Sequence, residues 1–429
     1  MSDFIISRKL QKNDDFVRFL AFGFLATFER ARSSLEWFAQ CKLEGQKMLA
    51  EDDWLTLSAQ ETKSKLSDLL RRIILEKLDG LMGDREVTMG LSAGLDSRAI
   101  FAHLPNEGDP VVTYTFGHPG TRDFDFMKKL RERESIPNIL IDLHQFQWDL
   151  EEYQGNMLNT QDYPLHPRVM VETHLKKQYP LRADIHGYDM LLTKTKPGTG
   201  RSNWQESKIS FCQNNDTFGL QASIGQDRVA RLLPEKPSMS EAVLSFHRQL
   251  DLSFRQAQRI RPLDSRAIQY VLPYEDPRWI GFWLSRSSPE LADQRLWIEF
   301  IKDLKNDVLF DVNNSKAKTR RDLKRDQNAL VYGISVPYQK GSRALNFLGL
   351  KKHGTSKGRH FHLLSTYRLN KSFHGLVQES INRLKGRNVF QLSFVDGVFT
   401  NFKAGDLNAA DTLKGLVSTD IMMEMGFFG

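Results

Sequence analysis

The amino-acid sequence predicts an α/β protein in which a parallel β-sheet is flanked by helical parts. Three observations predict this fold class. Strand-like and helix-like segments alternate between residues 86 and 186, apolar residues recur at helical spacing on both sides of that part, and a turn of small residues follows the first strand candidate. The alternating elements are, in order, strand 86–92, helix 95–104, strand 110–116, helix 122–134, strand 138–143, helix 168–178 and strand 182–186.

The flanking parts divide the chain into four predicted regions. Residues 16–28 are strongly apolar, but they include Arg18 and are fewer than the roughly 20 residues that span a bilayer, so they predict a buried helix. Residues 193–235 are polar and weakly periodic, which predicts a long loop. The last predicted helix covers 405–425. The four regions are a helical N-terminal region (1–80), an α/β core with a loop insertion (81–235), a helical part (236–330) and a mixed C-terminal extension (331–429).

Composition excludes several classes of protein. The 429 residues are 40% hydrophobic and 26% charged, as in ordinary globular proteins. The two cysteines, Cys41 and Cys212, form no C-x-x-C pair, which argues against a disulfide framework or a cysteine-rich metal site and favours a cytoplasmic location. No secretory signal or membrane span is predicted. The net charge of +7 favours phosphate-bearing partners without identifying one.

The segment "LSAGLDSRAI", residues 91–100, directly follows the first predicted strand. Ligands of open parallel sheets bind beyond the carboxyl ends of the strands. Small residues allow backbone N–H groups to approach an anion, and the carboxylate of Asp96 fits such a site if Mg²⁺ bridges it to phosphate oxygens. A tight turn with a helix cap is an equally good interpretation of these residues taken alone.

The stretch "SAGLDS" resembles the Ser-Gly-Gly-x-Asp-Ser signature of the PP-loop ATP pyrophosphatases. That resemblance implies an adenine nucleotide alpha-hydrolase-like domain that cleaves ATP between its α and β phosphates. Ala93 replaces the second glycine, which requires a negative φ at that position. The residues implied to hold ATP and pyrophosphate here are Leu91, Ser92, Ala93, Gly94, Leu95, Asp96 and Ser97.

Three further stretches resemble the synthetase domain of asparagine synthetase and of its relatives, β-lactam synthetase, carbapenam synthetase and the lasso-peptide cyclases. These stretches are "TYTFGHPGTRDFDF", "ADIHGYDMLL" and the segment from "LPYED" to "NNSKAK". The resemblance implies that Asp189 joins Asp96 in binding Mg²⁺ and that Lys316 neutralises charge in the transition state. The other implied nucleotide contacts are Phe116, Gly117, Asp123, Gly187 and Arg295.

His186 lies three residues before Asp189, where several relatives have an acid or base. A histidine can accept a proton near neutral pH, although many histidines at strand ends only form hydrogen bonds. Asp251 or Glu275 is a candidate for the carboxylate that completes the pair. Asp184 and Ile185 stand where the family has Ser-Gly, and Met190 replaces a glutamate, so the chain is a divergent member.

The resemblance implies a ligase that uses ATP and Mg²⁺ to adenylate a small-molecule or peptide carboxylate and passes the acyl group to ammonia or an amine. Ser2 stands where the family's glutaminase domain has its cysteine, so the nitrogen is expected from free ammonia, a separate amidotransferase or pathway protein, or the substrate itself. Two alternatives remain open. The basic runs "KKHGTSKGRHFH" and "KAKTRRDLKR" suit a tRNA-modifying PP-loop enzyme, with nucleic acid as a partner, and the lost glycines suit a non-catalytic nucleotide-binding homologue.

Overall fold

The computed structural model describes most of the chain, and the fold is given for that part. The described residues are 6–7, 10, 12–25, 28–52, 54, 56–79, 81, 86–104, 111–134, 136, 138–149, 165, 167–179, 181–187, 203–237, 241, 245–256, 269–286, 294–304 and 362–428.

Five strands form one sheet in which every neighbouring pair is parallel. The strands are β1 (Glu86–Gly90), β2 (Val111–Gly117), β3 (Asn138–Asp142), β4 (Leu181–Ile185) and β5 (Gln269–Val271), and their order across the sheet is β3-β2-β1-β4-β5. Parallel neighbours need crossover connections, which place helices on both faces of the sheet. The predicted α/β fold with a parallel sheet is therefore confirmed.

The described helices surround this sheet. They are α1 (Asp14–Phe22), α2 (Phe28–Glu51), α3 (Ala59–Leu78), α4 (Leu95–Phe101), α5 (Arg122–Glu134), α6 (Pro167–Gln178), α7 (Trp204–Asn214), α8 (Gln221–Ile224), α9 (Gln226–Arg231), α10 (Phe246–Gln249), α11 (Pro277–Ser285), α12 (Arg295–Asp303), α13 (Leu363–Leu369), α14 (Lys371–Arg387), α15 (Leu392–Ala404) and α16 (Leu407–Glu424); a π-helix (Leu250–Gln256) continues α10.

Two hydrophobic cores cover the opposite faces of the sheet. The first core packs Val87 and Met89 of β1 and Ile185 of β4 against α2, α3, α5, α11 and α12. The second core packs Tyr114 of β2 and Ile141 of β3 against α1, α6, α7 and α13 to α16. Successive side chains of a strand point to opposite faces of the sheet. Thr88 and Asp184 therefore face the second core, whereas the apolar residues next to them in sequence face the first core.

Most elements predicted from the sequence are present. Helix 122–134 has the predicted bounds, and the strands differ from prediction by one or two residues. The apolar segment from residue 16 is the buried helix α1, which ends at Gly23 with a φ of 79°, a left-handed conformation that suits glycine. The predicted helix at 405–425 is α16. Residues 193–202 lie outside the described part.

The prediction of a long loop over 193–235 is wrong for residues 204–231, which form α7, α8 and α9. Helix α7 begins at a hydrogen bond from the backbone N–H of Gln205 to the side chain of Asn203. Its buried face includes Ser207 and Lys208 beside Phe211 and Cys212. Polar residues on the buried face weaken the apolar periodicity, so the sequence pattern gave no helical signal here.

Helices α2 and α11 cross with their backbones in contact. A methyl group added to Gly281 of α11 would collide with the carbonyl oxygen of Cys41 and the backbone of Gly45, and one added to Gly45 would collide with the backbone of Gly281. The clashing atoms are backbone, so no side-chain rotation relieves them. This crossing therefore requires glycine on both helices, and it attaches the N-terminal helices to the segment that follows β5.

We expect Gly281→Ala to lower the free energy of unfolding by at least about 2 kcal/mol, because the two helices must separate to accommodate the methyl group. Gly375→Ala is the matched control, since a methyl group there on α14 meets nothing within 4 Å. The control should be neutral or stabilising by up to about 1 kcal/mol, as alanine is the better helix former. Urea unfolding of both variants tests this, and equal stabilities would contradict it.

Candidate functional site

The order in which the chain adds strands to the sheet reverses between β1 and β4. From β1 the chain moves outward through β2 to β3, whereas β4 and β5 lie on the other side of β1. Open α/β sheets bind ligands at the carboxyl edge where the strand order reverses in this way, and we call this edge between β1 and β4 the crevice. Residues 91–97, the β1 loop, leave β1 at this position, and His186 and Gly187 leave β4 beside it.

Serine hydroxyls organise the β1 loop. Ser92 donates its backbone N–H to Ser97 Oγ over 3.1 Å, Gly94 donates to Ser92 Oγ over 3.1 Å, and the two hydroxyls lie 2.9 Å apart. Ala93 has a negative φ. In the described part of the chain, the non-glycine residues with a positive φ are Gln294, Asn388 and Phe428. The alanine thus meets the conformational requirement that the sequence analysis set for replacing glycine.

Two buried charged side chains, Arg98 and Asp123, form hydrogen bonds with the backbone of the β1 loop. The Arg98 side chain is fully buried and donates to the carbonyl oxygens of Ala93 (3.1 Å) and Gly94 (3.2 Å), while its guanidinium lies over the ring of Phe126. Burial, with the repulsion of Arg122, lowers the pKa of Arg98 to about 10, so this group stays charged at neutral pH. The sequence analysis missed Arg98, although an arginine among the apolar residues at the start of a helix signals a buried partner.

Asp123, a predicted nucleotide contact, is also fully buried. Its Oδ1 accepts the backbone N–H of Ala93 over 3.0 Å and the Nε–H of Arg122 over 3.2 Å. The carboxylate therefore accepts a hydrogen bond from one of the backbone N–H groups of the β1 loop and connects the loop to α5. Phe116 is half-buried and Gly117 ends β2, one strand away from the crevice.

The segments after β4 and β5 contact the β1 loop directly. A methyl group added to Gly187 would lie 2.7 Å from the Cα atom of Ser97, so the two backbones touch. Tyr274, in the 3-10 helix Pro273–Glu275 that follows β5, donates its hydroxyl to the carbonyl oxygen of Asp96 over 2.8 Å. Three segments singled out in the sequence, "SAGLDS", "HG" and "LPYE", thus meet at one edge of the sheet.

A cluster of polar side chains lies beneath this edge, between the sheet and α6. Asp184 accepts hydrogen bonds from Thr88 (2.9 Å) and from the Tyr114 hydroxyl (3.1 Å). Glu172 of α6 accepts hydrogen bonds from Arg168 (2.7 Å) and from the Tyr270 hydroxyl (2.6 Å), and Glu172 Oε1 lies 3.7 Å from His186 Nε2. We call this set the α6 cluster; its members are Thr88, Tyr114, Arg168, Glu172, Asp184, His186 and Tyr270.

The two acids of the α6 cluster have opposite protonation behaviour. Burial, reinforced by the charge of Glu172, raises the pKa of Asp184 well above its ordinary value. Burial would also raise the pKa of Glu172, but Arg168 and then His186 and Tyr270 outweigh it and lower that pKa to about 2. Burial and the charge of Arg168 lower the pKa of His186. The cluster therefore pairs an ionised Glu172 with Arg168, while the surroundings of Asp184 and His186 favour the uncharged forms of both groups.

Glu172, Asp184 and His186 also have the side-chain types of a metal site, and their ligand atoms lie within 4.8 Å of one another. Arg168 already balances the charge of Glu172, and hydroxyl groups donate to both acids. The cluster is electrically balanced by its own residues and does not require a cation. Its contacts are those of a buried ion pair surrounded by hydroxyl donors.

The remaining predicted residues lie apart from these contacts or outside the described part. Asp251, in the π-helix, contacts Arg248 over 2.8 Å and Arg255 over 3.6 Å. Glu275 ends the 3-10 helix beside Tyr274. Arg295 begins α12, but its side chain is outside the described part, and so are Asp189, Met190 and Lys316.

The C-terminal helices reach the same edge of the sheet beyond β2 and β3. His362 donates its backbone N–H to His118 Nε2 over 3.1 Å, and the rings of His118 and His144 stack with centroids 4.3 Å apart. Asn370, buried between α13 and α14, donates to the carbonyl oxygens of His144 (3.0 Å) and Phe146 (2.7 Å). The C-terminal helices thus cover the segments that follow β2 and β3, a contact that the sequence patterns did not predict.

Comparison with models of known protein families, and with curated proteins, finds no match for this chain. Among the described residues, no helix combines the length and the apolar character needed to cross a membrane.

We expect Asp184→Asn to become more stable relative to the natural protein as pH rises from 4 to 8. Folding raises the pKa of this carboxyl, so above the ordinary pKa of aspartate the unfolded chain has released the proton that the folded protein still binds. The free energy of unfolding of the natural protein therefore falls as pH rises through this window, whereas that of the asparagine variant does not depend on this group. The slope of the difference is at most about 1.4 kcal/mol per pH unit. Urea unfolding at a series of pH values measures it, and a constant difference would contradict a raised pKa of Asp184.

Proposed function

We propose that the protein is an ATP-dependent ligase that forms AMP and pyrophosphate while joining a carboxylate to ammonia or an amine. One observation carries this proposal: the β1 loop "SAGLDS" lies at the switch point of a parallel sheet, with Gly187 and Tyr274 packed against its backbone. Its resemblance to the PP-loop signature and its position support the same kind of ligand, a nucleotide phosphate.

Two steps follow from this proposal. A carboxylate oxygen of the substrate attacks the α-phosphorus of ATP, and pyrophosphate leaves. The amine nitrogen then attacks the acyl carbon, AMP leaves with the electron pair of the broken bond, and the proton lost by nitrogen passes to a base, for which His186 is the candidate. The carboxyl group of the substrate is not oxidised or reduced in either step.

The residues present fit the magnesium ion that such chemistry uses. Asp96 is only partly buried, at the crevice, and offers a carboxylate oxygen, the ligand type that Mg²⁺ prefers. Asp189 is the second proposed ligand and Lys316 the proposed cation for the developing charge, both by resemblance. When bound, Mg²⁺ would neutralise the phosphates and favour the departure of pyrophosphate.

A non-catalytic nucleotide-binding protein is the second candidate, and one observation favours it. The N–H groups of Ser92, Ala93 and Gly94 already donate to Ser97, Asp123 and Ser92, so phosphate oxygens would have to replace some of these bonds. Such a protein would bind ATP without cleaving it. The basic runs that suit a tRNA-modifying enzyme lie almost wholly outside the described residues.

The ligase proposal predicts exchange of labelled pyrophosphate into ATP that depends on a carboxylate, measured with a panel of amino acids, peptides and other carboxylic acids. Asp96→Asn should lower this exchange at least 100-fold, because the amide has no charge for the metal. Asp411→Asn, at an exposed position on α16, is the matched control. ATP binding without exchange, with any member of the panel, would support the non-catalytic candidate instead.

The contact between β4 and the β1 loop gives a second prediction. Gly187→Ala places a methyl group against the backbone of Ser97, so the loop must move. We expect ATP affinity to fall at least tenfold, which corresponds to about 1.4 kcal/mol. Isothermal titration calorimetry with a non-hydrolysable ATP analogue measures this, with Gly375→Ala as the control. An unchanged affinity would show that the position of the loop does not matter for the nucleotide.

A further inference from the structure

His186 is fixed at the carboxyl edge of the sheet, one residue from the β1 loop contact. Its backbone N–H donates to the carbonyl oxygen of Val271 over 2.9 Å, which extends the pairing of β4 with β5. Its side chain is 16% exposed, so the imidazole is largely covered but still reachable. Gly187, the next residue, touches Ser97 of the β1 loop. His186 is therefore one residue away from the backbone that contacts this loop.

Glu172 is the carboxylate that the structure places beside this imidazole. It belongs to α6, which precedes β4, and its side chain is 7% exposed. Arg168 donates to Oε1 over 2.7 Å and Tyr270 donates to Oε2 over 2.6 Å, so both oxygens are held in place. Glu172 Oε1 lies 3.7 Å from His186 Nε2. Catalytic hydrogen bonds are often this long before the substrate binds.

The chemistry of the pair follows from its charges. A neutral imidazole has one N–H and one nitrogen lone pair. An ionised carboxylate favours the hydrogen on the nitrogen that faces it, here Nε2, and leaves the lone pair of Nδ1 to accept a proton. Once that proton arrives, the carboxylate stabilises the imidazolium ion. Among the residues that the structure describes, the other charged or titratable groups around the imidazole are Arg168 on α6, Tyr270 on β5 and Asp184 on β4.

We propose that Glu172 is a positioning residue that orients His186 and stabilises its protonated form while His186 Nδ1 takes the proton from the attacking amine. The amine forms the new bond to the acyl carbon, AMP leaves, and the proton moves from nitrogen to His186 and then to water. This inference rests on the proposed function and adds a residue that neither the motifs nor the resemblance supplied.

The test compares the natural protein with Glu172→Gln. The first readout is the pKa of His186, from nitrogen NMR of protein labelled at histidine and assigned with His186→Gln. We expect it to fall by about one unit in Glu172→Gln, because the carboxylate is lost and Arg168 remains. Asp420→Asn is the matched control, since it removes another buried carboxylate that is held by an arginine, Arg383, on the C-terminal helices. The control should leave the pKa of His186 unchanged.

The second readout separates the two steps of the reaction. With a carboxylate that supports pyrophosphate exchange, and ammonium chloride as the amine source, we expect Glu172→Gln to lower ammonia-dependent AMP release at least 30-fold more than it lowers exchange. An equal fall in both rates, or an unchanged His186 pKa, would overturn the inference and leave the proposed function standing. Absence of exchange in the natural protein, with every carboxylate, would overturn the proposed function and this inference with it.

A second variant covers the case in which Glu172→Gln does not fold, since that change leaves Arg168 buried without its counter-charge. Tyr270→Phe keeps the charge pair and removes only the hydroxyl that holds Oε2. We expect it to lower the ratio of ammonia-dependent AMP release to exchange at least fivefold. An unchanged ratio in Tyr270→Phe would overturn the positioning role.

Discussion

The backbone contact between Gly187 and Ser97 determines how the segments after β1 and β4 lie relative to each other. Parallel pairing brings β1 and β4 side by side, and only a residue without a side chain allows the backbone after β4 to touch the backbone at the start of α4. This close approach fixes the β1 loop relative to His186, the residue before Gly187. Tyr274 reaches the same loop from the segment after β5, so three separate parts of the chain determine its position.

The β1 loop is rigid because its polar groups bond within the protein. Arg98 binds the carbonyl oxygens of the loop, and Asp123 binds one of its N–H groups from the same buried side. Opposite charges with little exposure are costly unless they are paired and hydrogen-bonded, and here each one meets a backbone group of opposite polarity. The backbone of such a loop needs little further ordering when a ligand binds. A phosphate would still have to replace the side chains that accept from its N–H groups.

The α6 cluster adds a second buried polar system to a sheet that is otherwise covered by apolar side chains. Its residues come from four strands and α6, so it can form only once the sheet is assembled. Such a cluster costs desolvation energy that an apolar core would not. Perturbed pKa values occur both in functional sites and in structural ion-pair networks, and the proposed role of Glu172 and His186 is the functional interpretation.

Sequence patterns predicted four of the five strands because strands and helices alternate with clear turns between residues 86 and 186, but they gave no signal for the three-residue β5. They failed at α7, where Ser207 and Lys208 occupy the buried face and disrupt the apolar period. They also singled out the β1 loop and His186, which the fold brings to the same edge of the sheet. They gave no prediction for Glu172, whose partner Tyr270 is 98 residues away along the chain, although an acid between Val171 and Leu175 on a buried helix face was a usable signal.

We propose that the crevice between β1 and β4 binds the phosphates of ATP. The decisive experiment is a crystal structure with Mg²⁺ and α,β-methylene ATP, which resists cleavage between the α and β phosphates. We expect the triphosphate against residues 92–97, with Gly187 on the opposite side and the Asp96 carboxylate on the metal. Phosphates bound elsewhere on the protein, with residues 92–97 unchanged and without contact to the nucleotide, would rule out this site.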